Sequence, residues 1–331
     1  MLQTETPVAG IRALLENLID YAGLFPPAKL PLDQAIQNYA SFRNANDSWM
    51  LNSFVIPAEC LSELADHSSL FYSEPPFRFT IIGRGGAGMG EFLSAADKDL
   101  MDARRFLEIH GEHVTLDGYQ VRLPEDVVDG ISSRRMGDIL ANVVNRIETS
   151  LKAQPHIFFE TFWKGNWRQR FNALISELSR LNRERELDNL LGFKVRCGGP
   201  SPDDFPPSEA VAGAMHSAAR SHLPLKFTAG LHHPLRHFRD EFGGEMHGFI
   251  NVIVAGAFAK VEKLSEPAII EILEEKDPGK FTFSDTDVGW KEHRMSIEQF
   301  RKTRLEFVTG YGSCSFDEPR HDLQTLGLLP E

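Results

Sequence analysis

The sequence predicts a (β/α)8 barrel of the TIM type, and three observations lead there. Short apolar runs alternate with helical patterns eight times along the chain. No hairpin signal joins one run to the next, so the runs read as parallel strands linked by helical crossovers. The 331 residues contain no Gly/Ser-rich or Pro-rich linker, and their number suits a barrel of about 250 residues with insertions. A single domain over 1–331 is therefore expected, with extra helices and with 305–331 as a C-terminal extension packing on the barrel. A doubly wound open sheet has the same local pattern and is the structural alternative.

Taken in order, the strand at 20–26 precedes a helix at 32–43, 50–57 precedes 61–69, and 77–83 precedes 91–109. The alternation continues with 119–123 before 136–151, 156–162 before 167–182, 191–197 before 208–221, and 225–231 before 248–261. After an additional helix near 267–275, the strand 281–285 and the helix 296–307 make the eighth unit.

Composition narrows the function classes. Lys+Arg 35 against Asp+Glu 47 gives a net charge of −12, which argues against a nucleic-acid partner, because neutralising phosphates needs a basic face. Hydrophobic residues at 42% supply a core and exclude intrinsic disorder. Cys60, Cys197 and Cys314 are odd in number without CxxC spacing, which excludes a disulfide framework and points to a reducing compartment. The N-terminal residues lack the pattern of a signal peptide, and the longest apolar stretch, 249–259, is too short to span a membrane, so a cytoplasmic location is expected.

The strands near 191–197 and 225–231 carry the most chemistry. A period of two puts Phe193, Val195 and Cys197 on the helix-facing side and turns Lys194 and Arg196 toward the barrel axis. In the next strand Leu225, Phe227, Ala229 and Leu231 face outward, while Lys226, Thr228 and Gly230 face in. Cations inside a barrel either hold an anionic group or tune a lysine for attack on a carbonyl. The structural alternative pairs them with internal carboxylates such as Glu160.

Three histidines follow, His232, His233 and His237, where barrel active sites are built. His232 has the inward parity and suits general acid/base work, or metal ligation with Glu59, Glu160 or His247; His233 and His237 read as hydrogen-bonding loop residues. Lys194, Lys226, His232 and Glu160 are thus the catalytic candidates. Arg196, Thr228, Gly198, Gly199, Gly230, Arg84 and Arg122 are the substrate-binding candidates. The run 83–88 matches G-x-G-x-x-G and reads as a flexible βα loop able to grip phosphate through its N–H groups, with a dinucleotide-binding domain as the alternative. Cys314 is a further nucleophile candidate, in a polar segment expected to fold over a barrel end.

The segments DYAGLFPPA at 20–28, KFTAGLHHP at 226–234, HGFIN at 247–251 and GSCSFDEP at 312–319 resemble an uncharacterised family of bacterial β/α-barrel proteins. The two lysine strands are similar, more loosely, to those of deoxyribose-phosphate aldolase. That resemblance implies a Schiff base on Lys194 tuned by Lys226. Three functions are accordingly expected: an aldolase-like lyase acting on a small carboxylate or phosphate and needing no cofactor; a lyase or hydrolase with a divalent metal on His232 and a strand-end carboxylate; and a non-catalytic small-ligand barrel. The expected partner is a small anionic molecule rather than nucleic acid or membrane, with assembly into a homo-oligomer left open.

Overall fold

The computed structural model describes residues 7–151, 155–185, 191–240 and 243–330. Eight strands close into a parallel barrel: β1 (Ile19–Tyr21), β2 (Leu51–Pro57), β3 (Phe77–Ile82), β4 (Val114–Arg122), β5 (His156–Glu160), β6 (Gly192–Arg196), β7 (Leu225–Thr228) and β13 (Val308–Ser313). Around the ring each strand neighbours the next in sequence, and β13 sits between β7 and β1. Two antiparallel additions lie outside the ring, the hairpin β8 (His237–Arg239) with β9 (Gly244–Met246), and the sheet β10 (Phe281–Phe283), β11 (Asp287–Trp290) and β12 (His293–Ser296).

The helices that cover the barrel are α1 (Ala9–Leu15), α2 (Leu32–Phe42), α3 (Met89–His110), the short α4 (Glu125–Val128), α5 (Ser133–Ser150), α6 (Trp167–Arg185) and α7 (Ser208–Ser221). They continue with α8 (Phe249–Val261), α9 (Glu266–Leu273), α10 (Ile297–Glu306) and α11 (Asp317–Thr325). Their apolar stripes meet the outward residues of the strands: Phe193 of β6 packs on Phe171 of α6 at 5.0 Å between rings, and Tyr21 of β1 meets Phe42 of α2 at 5.2 Å. Such contacts make one continuous apolar layer between sheet and helices. No helix among the described residues is long and apolar enough to cross a membrane.

Three sequence expectations are corrected. The segment 281–285 is not the eighth barrel strand, because Phe281–Phe283 pairs antiparallel with β11 on the outside. The true eighth strand is Val308–Ser313, so 305–331 is no appended extension: this strand closes the barrel between β7 and β1, and α11 follows it. The absence of hairpins also fails as an expectation, since both additions are antiparallel. A smaller difference concerns 61–69, which lies in a run of 3-10 turns, Ala58–Tyr72, instead of an α-helix.

Candidate functional site

Register builds the site. Arg122 pairs with Glu160, Glu160 with Lys194, and Lys194 with Lys226, so one layer across β4 to β7 carries four charged side chains. The next layer toward the C-terminal mouth pairs Arg196 with Thr228, Thr228 with Gly312, and Gly312 with Asp20 of β1. Because a parallel barrel puts all its βα loops on one face, these layers open into a shared mouth. A cavity of about 420 Å³ lies there, and its walls include Asp20, Gln120, Lys194, Arg196, Thr228, His232 and Cys314. The inward parity expected for Lys194, Arg196, Lys226 and Thr228 agrees with this arrangement.

Two buried ion-pair networks occupy the interior. Lys194 Nζ stands 3.2 Å from Glu160 Oε2, and Arg196 Nε donates to Glu160 Oε1 at 3.0 Å. Burial alone would raise the Glu160 carboxyl, but Lys194 and Arg196, aided by Arg122, hold it down to about 2. Lys194 is shifted below the ordinary lysine value chiefly by burial; Glu160 opposes this, whereas Arg196 and Lys226 reinforce it.

The second network joins Lys226 to Asp20, with the ammonium against Oδ2 as an ion-pair contact. Asp20 Oδ1 accepts from Asn52 Nδ2 at 2.6 Å and from Ser53 Oγ at 3.1 Å. The Lys226 ammonium also lies 5.6 Å from the ring centre of Phe158. Sequence reasoning assigned no role to Asp20. The signal was present in Ile19-Asp20-Tyr21, where a lone carboxylate alternates with two apolar neighbours and so must face inward. Gln120, an inward residue of β4 that lines the cavity, was likewise given no role.

At the mouth, β7 ends in two left-handed residues, Ala229 (φ +60°) and Gly230 (φ +70°). Gly230 also touches β6: a Cβ placed there would lie 2.8 Å from Cys197 O and 2.9 Å from Gly198 Cα. This close approach brings Gly198, Gly230 and His232 to one rim. His232 is turned into the cavity wall, with Nδ1 3.2 Å from Glu318 Oε2 of α11 and 3.9 Å from Cys314 Sγ. Burial acts to lower its pKa, but hydrogen bonds to Cys314 and Glu318 prevail and push it up to about 9.

Other candidates lie elsewhere. Arg84 is outside the cavity lining and is held by Asp99 at 2.5 Å and Asp102 at 2.6 Å, so the glycine loop is pinned to α3 instead of presenting a free cation. Glu59 lies 3.8 Å from Arg84 Nε. Arg122 keeps the inward parity but rests over the Phe162 ring at 4.0 Å. Gly199 lines the cavity, whereas Gly198 only supports its rim.

His233 bonds to Asp322 Oδ2 at 2.5 Å and stacks edge-on with His237. His247 is buried, bonds to Pro206 O at 2.9 Å, and is pushed down to about 4 by that burial, so it is a neutral structural residue. Among the described residues no three His, Cys, Asp or Glu side chains gather as a metal site requires, and the carboxylates considered for His232 are engaged elsewhere.

The fold and this interior define a TIM-type barrel with paired lysines beside its cavity. Comparison with protein-family models, curated proteins and solved structures finds no match for the chain.

Proposed function

We propose that this barrel is a carbon–carbon lyase of the aldolase type, acting on a small carbonyl compound that carries a carboxylate or phosphate. The observation that carries the reading is Lys194: a cavity-lining amine with its pKa lowered, facing a carboxylate at 3.2 Å and flanked by two further cations. Lowering the ammonium pKa increases the fraction of free amine that can attack a carbonyl carbon.

In this reading the free Lys194 amine adds to the carbonyl, and the oxygen leaves as water with one proton taken from the attacking nitrogen and one from the His232 imidazolium. The iminium so formed carries the same charge as the ammonium it replaces, and the Glu160 carboxylate stabilises it where it stands. With its pKa near 2, Glu160 acts through its charge and is too weak a base for proton abstraction. Lys226, tied to Asp20, adds positive potential that disfavours the Lys194 ammonium. Arg196 lines the cavity with a side chain 38% exposed, and its guanidinium is suited to the substrate anion.

The test is deuterium wash-in. An iminium acidifies the C–H bonds beside it, so pyruvate in D2O should gain deuterium at its methyl group faster with the protein than without it. Lys194→Met should abolish that acceleration. A small oxo acid that raises the thermal midpoint but shows no wash-in would make the chain a binding barrel.

A further inference from the structure

The same cavity holds a thiol that the lysine chemistry does not use, beside the imidazole that it shares. Cys314 lies in the turn that leaves β13, where Ser313 Oγ donates to Ser315 O at 2.6 Å and Ser315 Oγ accepts from Glu318 N at 3.1 Å. Those bonds fix the turn so that the thiol lines the cavity, with its sulfur 3.9 Å from His232 Nδ1. Glu318 Oε2 approaches the same nitrogen at 3.2 Å, so a proton on Nδ1 faces both the sulfur and the carboxylate.

The other two cysteines lack this setting. Cys197 is fully buried, has the helix-facing parity, and its thiol is pushed far up by burial. The Cys60 thiol is pushed up to about 11, first by burial and then by the neighbouring Glu63 and Glu59. A sulfur beside an imidazole that can hold its proton, with a carboxylate favouring the imidazolium and open space in front, has the arrangement of an activated nucleophile.

We propose that Cys314 and His232 form a second reactive pair in the cavity, in which the sulfur adds to the carbonyl carbon of a small aldehyde as its proton passes to the imidazole. The step balances without a co-reactant. A C–S bond forms from the sulfur lone pair, the C=O π pair moves to oxygen, and the imidazolium returns its proton to that oxygen, leaving a hemithioacetal and a neutral imidazole. The reaction reverses along the same path. Choosing a carbonyl as the electrophile rests on the Lys194 reading, whereas the nucleophilicity of Cys314 does not. Glu318 is a positioning residue here, since it acts through the imidazole.

The experiment treats the full chain with limiting iodoacetamide at pH 7 and follows each cysteine by peptide mass. Cys314 should be alkylated first, about tenfold faster than Cys60 or Cys197, and His232→Gln should remove that advantage while circular dichroism is unchanged. Glu318→Gln should slow the reaction severalfold at pH 7 and shift its pH profile, which supplies a second variant if His232→Gln fails to fold. Millimolar propanal should protect Cys314 reversibly, and equally so in Lys194→Met, where no Schiff base can form at that position. Alkylation of Cys60 first, or a wild-type rate at Cys314 in both variants, would overturn the thiol–imidazole centre. Rapid alkylation in the presence of propanal would overturn the carbonyl step. Absence of wash-in from pyruvate would leave these outcomes untouched and count against the Lys194 reading alone.

Discussion

Lys194 and Lys226 differ in what each leaves behind when its charge is removed. Glu160 would keep Arg196 after Lys194→Met, but Asp20, buried at 1% exposure, would keep only the neutral donors Asn52 and Ser53 after Lys226→Met. Leaving a buried carboxylate unpaired costs about 3–5 kcal/mol, so Lys226→Met should lose stability on that scale in urea unfolding, and Lys194→Met distinctly less. Adding Asp20→Asn to Lys226→Met should recover part of the loss, because it removes the stranded charge. Equal losses for the two single variants would contradict this account of the networks. Glu160 adds an acid limit. Its folded pKa lies below the ordinary 4.5, so its stabilisation is present above that pH and is lost as pH falls toward about 2. At this scale the sequence was informative wherever parity was strict: the alternation in β6 and β7 placed three cations and Thr228 inward, and the apolar run of β5 brought Glu160 in at its end. It offered Glu160 as a partner for the cations, which Lys194 and Arg196 take, but it was silent on the second pair, because Asp20 and Lys226 are 206 residues apart and only barrel closure joins them.

At the scale of elements, α11 is clasped to the end of β7 by two histidine–carboxylate pairs, His232 with Glu318 and His233 with Asp322. The carboxylates are one helical turn apart, which matches them to adjacent histidines in an extended segment. The pH dependence of the first pair has a defined sign. His232 is raised from 6.5 to about 9, so its contribution is full below 6.5 and is lost as pH rises through about 9. Glu318 is lowered from 4.5, so its contribution is full above 4.5 and is lost as pH falls through its lower folded value. The wild type should therefore exceed Glu318→Gln in thermal midpoint most clearly between pH 4.5 and 6.5, and the gap should close above pH 9. A gap that persists unchanged at high pH would show that the pair is not an ionic clasp.

Gly230 makes a second prediction at this scale. Gly230→Ala combines a left-handed φ with a 2.8 Å approach to Cys197 O and should cost about 1–3 kcal/mol by denaturant unfolding. Strand identity was legible for β2 to β7 from apolar periodicity, although the start of β4 was missed. It failed for β13, because Val-Thr-Gly-Tyr-Gly-Ser has two glycines and low strand propensity. Gly310 nonetheless suits its place: a Cβ there would lie 2.7 Å from Leu18 O, so the residue permits the close packing that seats the strand. The more apolar Phe-Thr-Phe of β10 took its place in the reading, since a local pattern does not distinguish a barrel strand from an external sheet.

For the whole molecule, closure is the governing fact. β13 bonds to both β1 and β7, so the last barrel strand in the chain completes the ring begun by the first. A chain ending before Val308 would leave the edges of β1 and β7 unpaired and open the ring at the Lys226–Asp20 pair that spans it. It should lose the cooperative thermal transition of the full chain, and retention of that transition would mean that closure is not needed for stability. The class of fold was readable because eight alternations and a suitable length leave few alternatives, and the charged interior beside the cavity was readable because parity turns Lys194, Arg196 and Lys226 inward. The chemistry was less so, because it depends on which carboxylate meets which cation across the ring. The central claim is that Lys194 is a Schiff-base nucleophile. Borohydride reduction with pyruvate, followed by peptide mass mapping, tests it most directly. One reduced adduct on Lys194, absent in Lys194→Met and faster to form as pH rises toward the lowered lysine pKa, is the result expected. An adduct on surface lysines alone, or none in the wild type, would contradict it.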